Sequence, residues 1–431
     1  MARVLTAQDA HVLMNALVKQ ATGQTTVTST NLSTFVSAGE TVLATGVENT
    51  LNALSLVLGR TFVAVRPYKA KASIIDAIST GEYSHRLRKI SYYSRETLSS
   101  GGWNTQLNGA NLGMDRDNGA QGVLDAGSGS ATPSMWEQHQ PVPLEMNFAG
   151  QNVWDDSISI YRYQLKVAFS SPEDFAAFVN GIMVEKGNDI ENQKEAYNRM
   201  TLLNFIAGVY DLDTASPNGR VVNLTTAFNT YYGTNYNTTA LLSTYLKDFL
   251  EFMVATIKTD SDRLTHRSAR YHWSPARTIN GVSYTLLRHT PKDKQKLALY
   301  NPLFKKAEAM VLPEIFNDNY LKMENYEGFD YWQSFNGTDA NDMAINITPA
   351  IPDTSGTTQI SGTAVSLEHL IGVLFDEDAC MVDYQLEDSL ATPVEARKRY
   401  YNIWWSFSKN SINDFTENAI VYMMDDSGVT P

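Results

Sequence analysis

Apolar residues recur along this chain with two different periods, and the alternation between them predicts a mixed α+β fold. Near the start, Val12, Leu13, Ala16 and Leu17 form a short stripe behind Thr6 and Asp9, which have capping-box spacing, so a helix is expected over 7–21. A second is expected to begin at Ser37, with Glu40 three residues on and Leu43, Val47, Leu51, Leu54 and Leu58 at helical spacing. Thr61 to Arg66 reads as a strand. From Ser157 to Phe169 the period drops to two. There Tyr161, Tyr163, Leu165, Val167 and Phe169 alternate with Arg162, Gln164, Lys166 and Ala168, as in a strand with one solvated face.

That strand is expected to stop at Ser171-Pro172-Glu173-Asp174, which supplies an N-cap, a proline at the first helical position and acids in the first turn. The helical pattern behind it runs through Phe175, Phe178, Val179, Ile182, Ile190, Tyr197 and Leu203, with Gly181 and Gly187 as points of bending. This is long for a globular protein. A further helix fits Thr239 to Lys258, and Asn280-Gly281 marks a hairpin between Arg277 and Tyr284. Gln295 to Tyr300 and Gly372 to Phe375 read as short strands, Lys305 to Met310 as helix, and Asn336 to Thr363 as a polar loop. Towards the end Tyr401, Ile403, Trp405 and Phe407 alternate with polar residues and Trp404, and Ala419 to Met424 makes a closing strand.

One segment follows neither period. From Ser99 to Pro133 glycines at 101, 102, 109, 113, 119, 122, 127 and 129 are separated by few large apolar side chains. Such a stretch buries too little surface to offset the entropy of ordering it. A loop of this length inside a compact domain usually serves a function.

Composition adds limits. The chain has 431 residues, 43% hydrophobic and 19% charged, enough for one large or two moderate cores. Cys380 is the only cysteine, which excludes an intrachain disulfide and a thiolate zinc cluster. Neither a signal peptide nor an apolar run of transmembrane length is found, so folding in a reducing cytoplasm without a membrane is expected. The net charge of −13 argues against a protein built mainly to grip phosphates.

Walker, nucleophile-elbow and His-Glu-x-x-His motifs are lacking, so no catalytic residue, cofactor or metal ligand is assigned. His266 and His272 have no third ligand at metal spacing. Asp115-Arg116-Asp117-Asn118-Gly119 puts glycine where a calcium loop needs oxygen, and is read as a turn. Asp376-Glu377-Asp378 and Asp155-Asp156, with Tyr331-Trp332 as stacking rings, leave a sugar-cleaving acidic cleft open as a rival reading. The run His85, Arg86, Arg88, Lys89, Tyr92, Tyr93 and Arg95 fits either a nucleic-acid backbone or an acidic neighbouring subunit, and the acidity of the whole favours the neighbour. Arg397-Lys398-Arg399 is open to both readings.

Taken in order, these elements resemble the tailed-bacteriophage major capsid protein fold, the Hong Kong 97 type. The resemblance is carried by an arm, an extended loop over Tyr83 to Phe169, a long helix opening at Ser171-Pro172, and a central domain. The closing segments Ile371 to Ala379, Tyr401 to Phe407 and Glu417 to Tyr422 look like that family's strand, return strand and terminal strand. It implies an N-terminal arm with leading helices (1–82), an extended loop with a Gly-rich tip (83–170), a peripheral domain with the spine helix (171–238), an axial domain (239–395) and C-terminal return strands of the peripheral domain (396–431). The family's charge-rich helical scaffolding segment has no counterpart ahead of the arm, and no residue pair is assigned to crosslinking.

The resemblance implies a non-enzymatic protein that assembles with itself into hexamers and pentamers of an icosahedral virion shell, made in the host bacterial cytoplasm. Implied partners are scaffolding, portal or decoration proteins and non-specifically contacted double-stranded DNA. The alternative within the same class is another virion or surface-layer protein. Intersubunit contacts are expected at Arg86, Arg88, Lys89, Arg95, Tyr161, Tyr163, Arg397, Lys398 and Arg399, because extended segments with one apolar face find their partners in neighbouring sheets.

Overall fold

The computed structural model describes residues 7–23, 29–45, 53, 74–78, 86–93, 142–149, 152–275, 277–279, 282–310, 326–334, 337, 342–356, 358–393, 395, 397–427 and 429. The chain opens with helices α1 (Ala7–Thr22) and α2 (Leu32–Ala44), then strands β1 (Asp76–Ile78), β2 (Arg86–Tyr92), β3 (Pro143–Ala149) and β4 (Asn152–Tyr161). Next come helices α3 (Arg162–Ala168) and α4 (Pro172–Ala215), strand β5 (Val221–Asn223), and helices α5 (Leu224–Tyr232), α6 (Thr238–Ser243) and α7 (Leu246–Leu264). The hairpin β6 (Arg277–Ile279) and β7 (Val282–Tyr284) leads to β8 (Gln295–Tyr300), α8 (Asn301–Met310) and β9 (Tyr326–Phe329). Four short strands follow: β10 (Ile345–Ile347), β11 (Ala350–Pro352), β12 (Gln359–Ser361) and β13 (Val365–Leu367). The long strands β14 (His369–Asp376), β15 (Cys380–Ala391), β16 (Tyr400–Asn413) and β17 (Ala419–Met424) close the fold.

Two sheets carry it. The first has the order β1-β15-β16-β4, and its apolar face packs Ile160, Ile403, Trp405 and Phe407 against α1, α2 and the start of α4. The second has the order β5-β17-β14-β8-β9. Its central strand β14 lies between β17 and β8 with both of its faces buried, which is why Leu370 to Phe375 is one unbroken apolar run. Leu202, Phe205, Ile206 and Val209 from the later turns of α4 belong to this second core. At 44 residues, α4 spans roughly 66 Å and contributes to both cores without a break at Gly181 or Gly187. Its start is as expected: Ser171 Oγ accepts from the Asp174 amide at 3.1 Å.

Four expectations are corrected. Helix α2 begins at Leu32, not Ser37, because Asn31 and Thr34 cap each other reciprocally six residues earlier than the Ser37/Glu40 pair; the continuation through Val47 to Leu58, and the strand at 61–66, fall outside the described residues apart from Ala53. The expected strand of 157–169 is half helix. Strand β4 ends at Tyr161, whose mate Tyr400 is the first residue of β16. Beyond it no partner strand remains among the described residues, and the backbone satisfies itself as α3, with Gln164 Oε1 accepting the Tyr161 amide at 3.2 Å. The helix expected over 239–258 is divided at Thr244-Tyr245, where Tyr245 turns to stack on Tyr236 at 4.0 Å between centroids. The polar loop of 336–363 holds strands, with β10 paired to β13 and β11 to β12. The segment 396–431 is shared between the sheets, since β16 lies in the first and β17 in the second.

Candidate assembly surface

Strands β2 and β3 form an antiparallel ribbon in which Arg86 is the mate of Ala149 and Tyr92 of Pro143. Two strands alone are marginal in water, so the ribbon depends on what it docks against. Strand alternation divides it. Lys89 and Ser91 turn towards the body of the chain, whereas Arg88, Ile90 and Tyr92 are exposed.

Lys89 is the anchor. Its ammonium donates to Asp414 Oδ2 and Glu417 Oε1, both at 2.5 Å, on the connection between β16 and β17. Arg288 joins the cluster, donating to Ser91 Oγ at 2.8 Å and to the Thr416 carbonyl at 3.1 Å, and lies 3.5 Å from Glu417. Asp414 accepts further from the Thr416 amide and hydroxyl at 2.9 and 2.7 Å. Burial opposes the charge on Lys89, but the two carboxylates outweigh it and hold the ammonium above its ordinary 10.5. Glu417 is raised from its usual range: burial and the neighbouring Asp414 outweigh the pull of Lys89. Arg88, by contrast, pairs with Glu145 at 2.8 Å on the open face, a contact worth about 0–1 kcal/mol.

The sign of the pH dependence follows. Because the Lys89 pKa is raised on folding, its stabilising contribution is fully present below pH 10.5 and disappears as pH rises through the folded value. Glu417 has the opposite effect of an ordinary ion-paired carboxylate, since a raised pKa favours the folded state most at acid pH. The difference in urea midpoint between the native chain and Lys89→Met is therefore expected to shrink as pH rises above 10.5.

The second group of expected contact residues gathers at the far end of β16, roughly 45 Å from Asn413 along a 14-residue strand. Tyr161 packs against Tyr163 at 5.6 Å and against Tyr400 at 5.5 Å, and Tyr163 is 66% exposed. Just before Tyr400, Arg397, Lys398 and Arg399 are all exposed on a tight turn, whose Glu395 carbonyl accepts the Arg399 amide at 2.8 Å and whose Glu395 carboxylate accepts the Lys398 amide. Arg399 has φ 55°, a left-handed conformation that costs a non-glycine residue about 1–2 kcal/mol. The fold thus joins Tyr161, Tyr163 and 397–399, far apart in sequence, and separates them from Arg88 and Lys89. Arg95, the glycine-rich tip and the turn at 115–119 lie outside the described residues, as does the side chain of Arg86.

Under the ribbon lies a cleft of about 410 Å³, lined by Met146, Phe148, Asn204, Trp273, Ile351 and Phe415 among others. The acidic-cleft rival is not supported by the positions of its residues. Trp332 is fully buried and donates its indole N–H to the Leu370 carbonyl at 2.8 Å, so it offers no stacking face. Asp376 is buried and accepts from Thr290 Oγ1 at 2.7 Å, while Asp155 and Asp156 lie on β4 of the other sheet, where Asp155 accepts from Ser406 and Asp156 binds Lys186 of α4. His272 is buried between the Arg270 and Leu286 carbonyls, and burial lowers its pKa. Among the described residues no group of three or more His, Cys, Asp or Glu is placed to hold a metal ion, and no helix is long and apolar enough to cross a membrane. Sequence reasoning missed Asp414, Glu417 and Arg288, which carry no local signature of their partners.

The sequence model of the Phi29-like phage major capsid protein family matches residues 137–423, from just before β3 to β17. No curated protein matches. Solved structures similar to the chain include the capsid of Staphylococcus phage Andhra, with TM-score 0.48 and 8% identity over 83% of this chain and 85% of that one. The mature capsid of bacteriophage PhiM1 gives 0.42 and 8% over 83% and 87%, and the capsid of Cyanophage P-SCSP1u gives 0.40 and 10% over 83% and 89%.

Proposed function

This chain belongs to the Phi29-like phage major capsid protein family, and from that premise we propose how its surface divides the work of building the head shell. As a major capsid protein it is a structural protein of the virion that assembles with copies of itself. The proposed assembly is an icosahedral shell of hexamers and pentamers, without enzymatic activity, enclosing packaged double-stranded DNA. The observation that carries the reading is the family match, which takes in α4, the five-stranded sheet, strands β4, β15 and β16 of the other sheet, and the β3 half of the ribbon.

The proposed contacts fall in two places. The exposed ribbon face of Arg88, Ile90 and Tyr92 offers apolar and charged groups on a strand pair, which suits addition to a neighbour. The turn of Arg397, Lys398 and Arg399, with Tyr161 and Tyr163 beside it, offers cations and rings at the other end of the molecule. Lys89 serves within its own subunit as the ribbon's anchor. Many weak heterologous contacts of this kind close a shell through avidity. Contact with DNA is proposed to be non-specific and weak, given the charge of −13. Scaffolding, portal or decoration proteins are the proposed further partners, and the host bacterial cytoplasm the proposed place of synthesis. The segments proposed for the extended loop and for the peripheral and axial domains are those drawn from the resemblance.

Negative-stain microscopy and sedimentation of the purified full chain test this reading. Closed megadalton particles are expected. A small defined oligomer that hydrolyses a glycoside, and loses that activity in Asp376→Asn with Asp378→Asn, would sink it.

A further inference from the structure

We propose that the flank formed by α5 and α7 is a docking surface for a second copy of this chain, which presents its α8 flank to it. The inference rests on the shell-forming reading and names a pair of faces for it. Helix α5 lies on β5 and β17 at one edge of the five-stranded sheet, α8 lies on β8 and β9 at the other, and α7 sits between them in contact with both. The α5 and α8 flanks are therefore opposite ends of one helical layer. That is the placement a head-to-tail ring of copies requires.

The flanks differ in chemistry in a complementary way. On the first, Tyr231 is 74% exposed and Tyr232 49%. Their rings meet edge-on at 4.9 Å and lie 5.7 and 6.2 Å from Phe252 on α7. A cluster of aromatic rings left in water is a common mark of an interaction face. Asp248 is exposed and Glu251 half-buried on the same stretch of α7, outweighing the exposed Lys247. Both carboxylates lie beside the cluster: after desolvation and the Tyr231 phenol, they help to raise the Tyr232 phenol from its ordinary value. On the opposite flank Lys305 and Lys306 are exposed on α8. Ammonium groups brought to tyrosine rings rimmed by carboxylates gain both ion pairs and ring faces.

The test uses two charge-reversed forms of the full chain, Asp248→Lys with Glu251→Lys and Lys305→Glu with Lys306→Glu, each checked for an unchanged urea midpoint. Sedimentation velocity and negative stain at low ionic strength measure the assembled fraction. Either form alone is expected to assemble roughly tenfold less than the native chain, because like charges then face each other. The chain carrying all four changes is expected to recover, and an equal mixture of the two forms is expected to recover six-membered rings, in which the forms can alternate and opposite charges meet again. Folded single forms that assemble like the native chain, or failure of both the fourfold variant and the mixture to recover, would overturn the pairing of flanks. If the native chain itself does not assemble, the shell-forming reading falls, and this inference falls with it.

Discussion

Lys89→Met is expected to destabilise the chain by about 3–5 kcal/mol, seen as a lower urea midpoint at unchanged slope. The native ammonium sits between Asp414, whose side chain is 1% exposed, and Glu417, 10% exposed, so removing it leaves two buried carboxylates facing each other. Their mutual repulsion and lost solvation cost more than the ion pairs themselves contribute. The same reasoning predicts non-additivity. Glu417→Gln introduced into Lys89→Met removes one of the two like charges and is expected to recover part of the loss, whereas in the native background it weakens the anchor. A cost below about 0.5 kcal/mol for Lys89→Met would mean that the ribbon is not held by this cluster.

Trp332→Ala is expected to lose about 3–5 kcal/mol, measured the same way. The indole is fully buried, stacked on Phe329 at 5.3 Å, and its N–H satisfies the Leu370 carbonyl on the central strand β14. Truncation opens a cavity and also strands that carbonyl. Trp332→Phe fills most of the volume and is expected to cost only about 1–2 kcal/mol, chiefly the lost hydrogen bond. Near-native stability in the alanine variant would mean that Trp332 is not seated in the core.

The elements that could be read in advance are those whose cause is local. Ser171-Pro172-Glu173-Asp174 starts α4 with its own side chains, and Asn280-Gly281 lies between strands whose register pairs Arg277 with Tyr284. The alternation of Tyr401 to Phe407 marks β16 because one face of that strand meets α1, α2 and α4. Where the cause lies elsewhere in the chain, the pattern misled. Tyr163, Leu165 and Val167 keep a strand's period, yet β4 ends because its partner β16 begins only at Tyr400. The candidate surface was legible only as residue types. That Arg88 faces outward while Lys89 is held from within depends on Asp414, 325 residues away, and on which face of β2 meets it. The turn at 397–399 and the rings of Tyr161 and Tyr163 were each visible as odd local composition, but only the β4–β16 register puts them side by side.

Helix α4 has a mechanical consequence. Its first turns are gripped by one core and its later turns by the other, with no break between. A rod about 66 Å long that pivots by ~5° at one end sweeps its other end through ~6 Å, more than the spacing between neighbouring strands. Because the rod has no break to absorb a rotation, a small tilt of one core about its end of α4 is carried to the other core as a displacement of several ångströms.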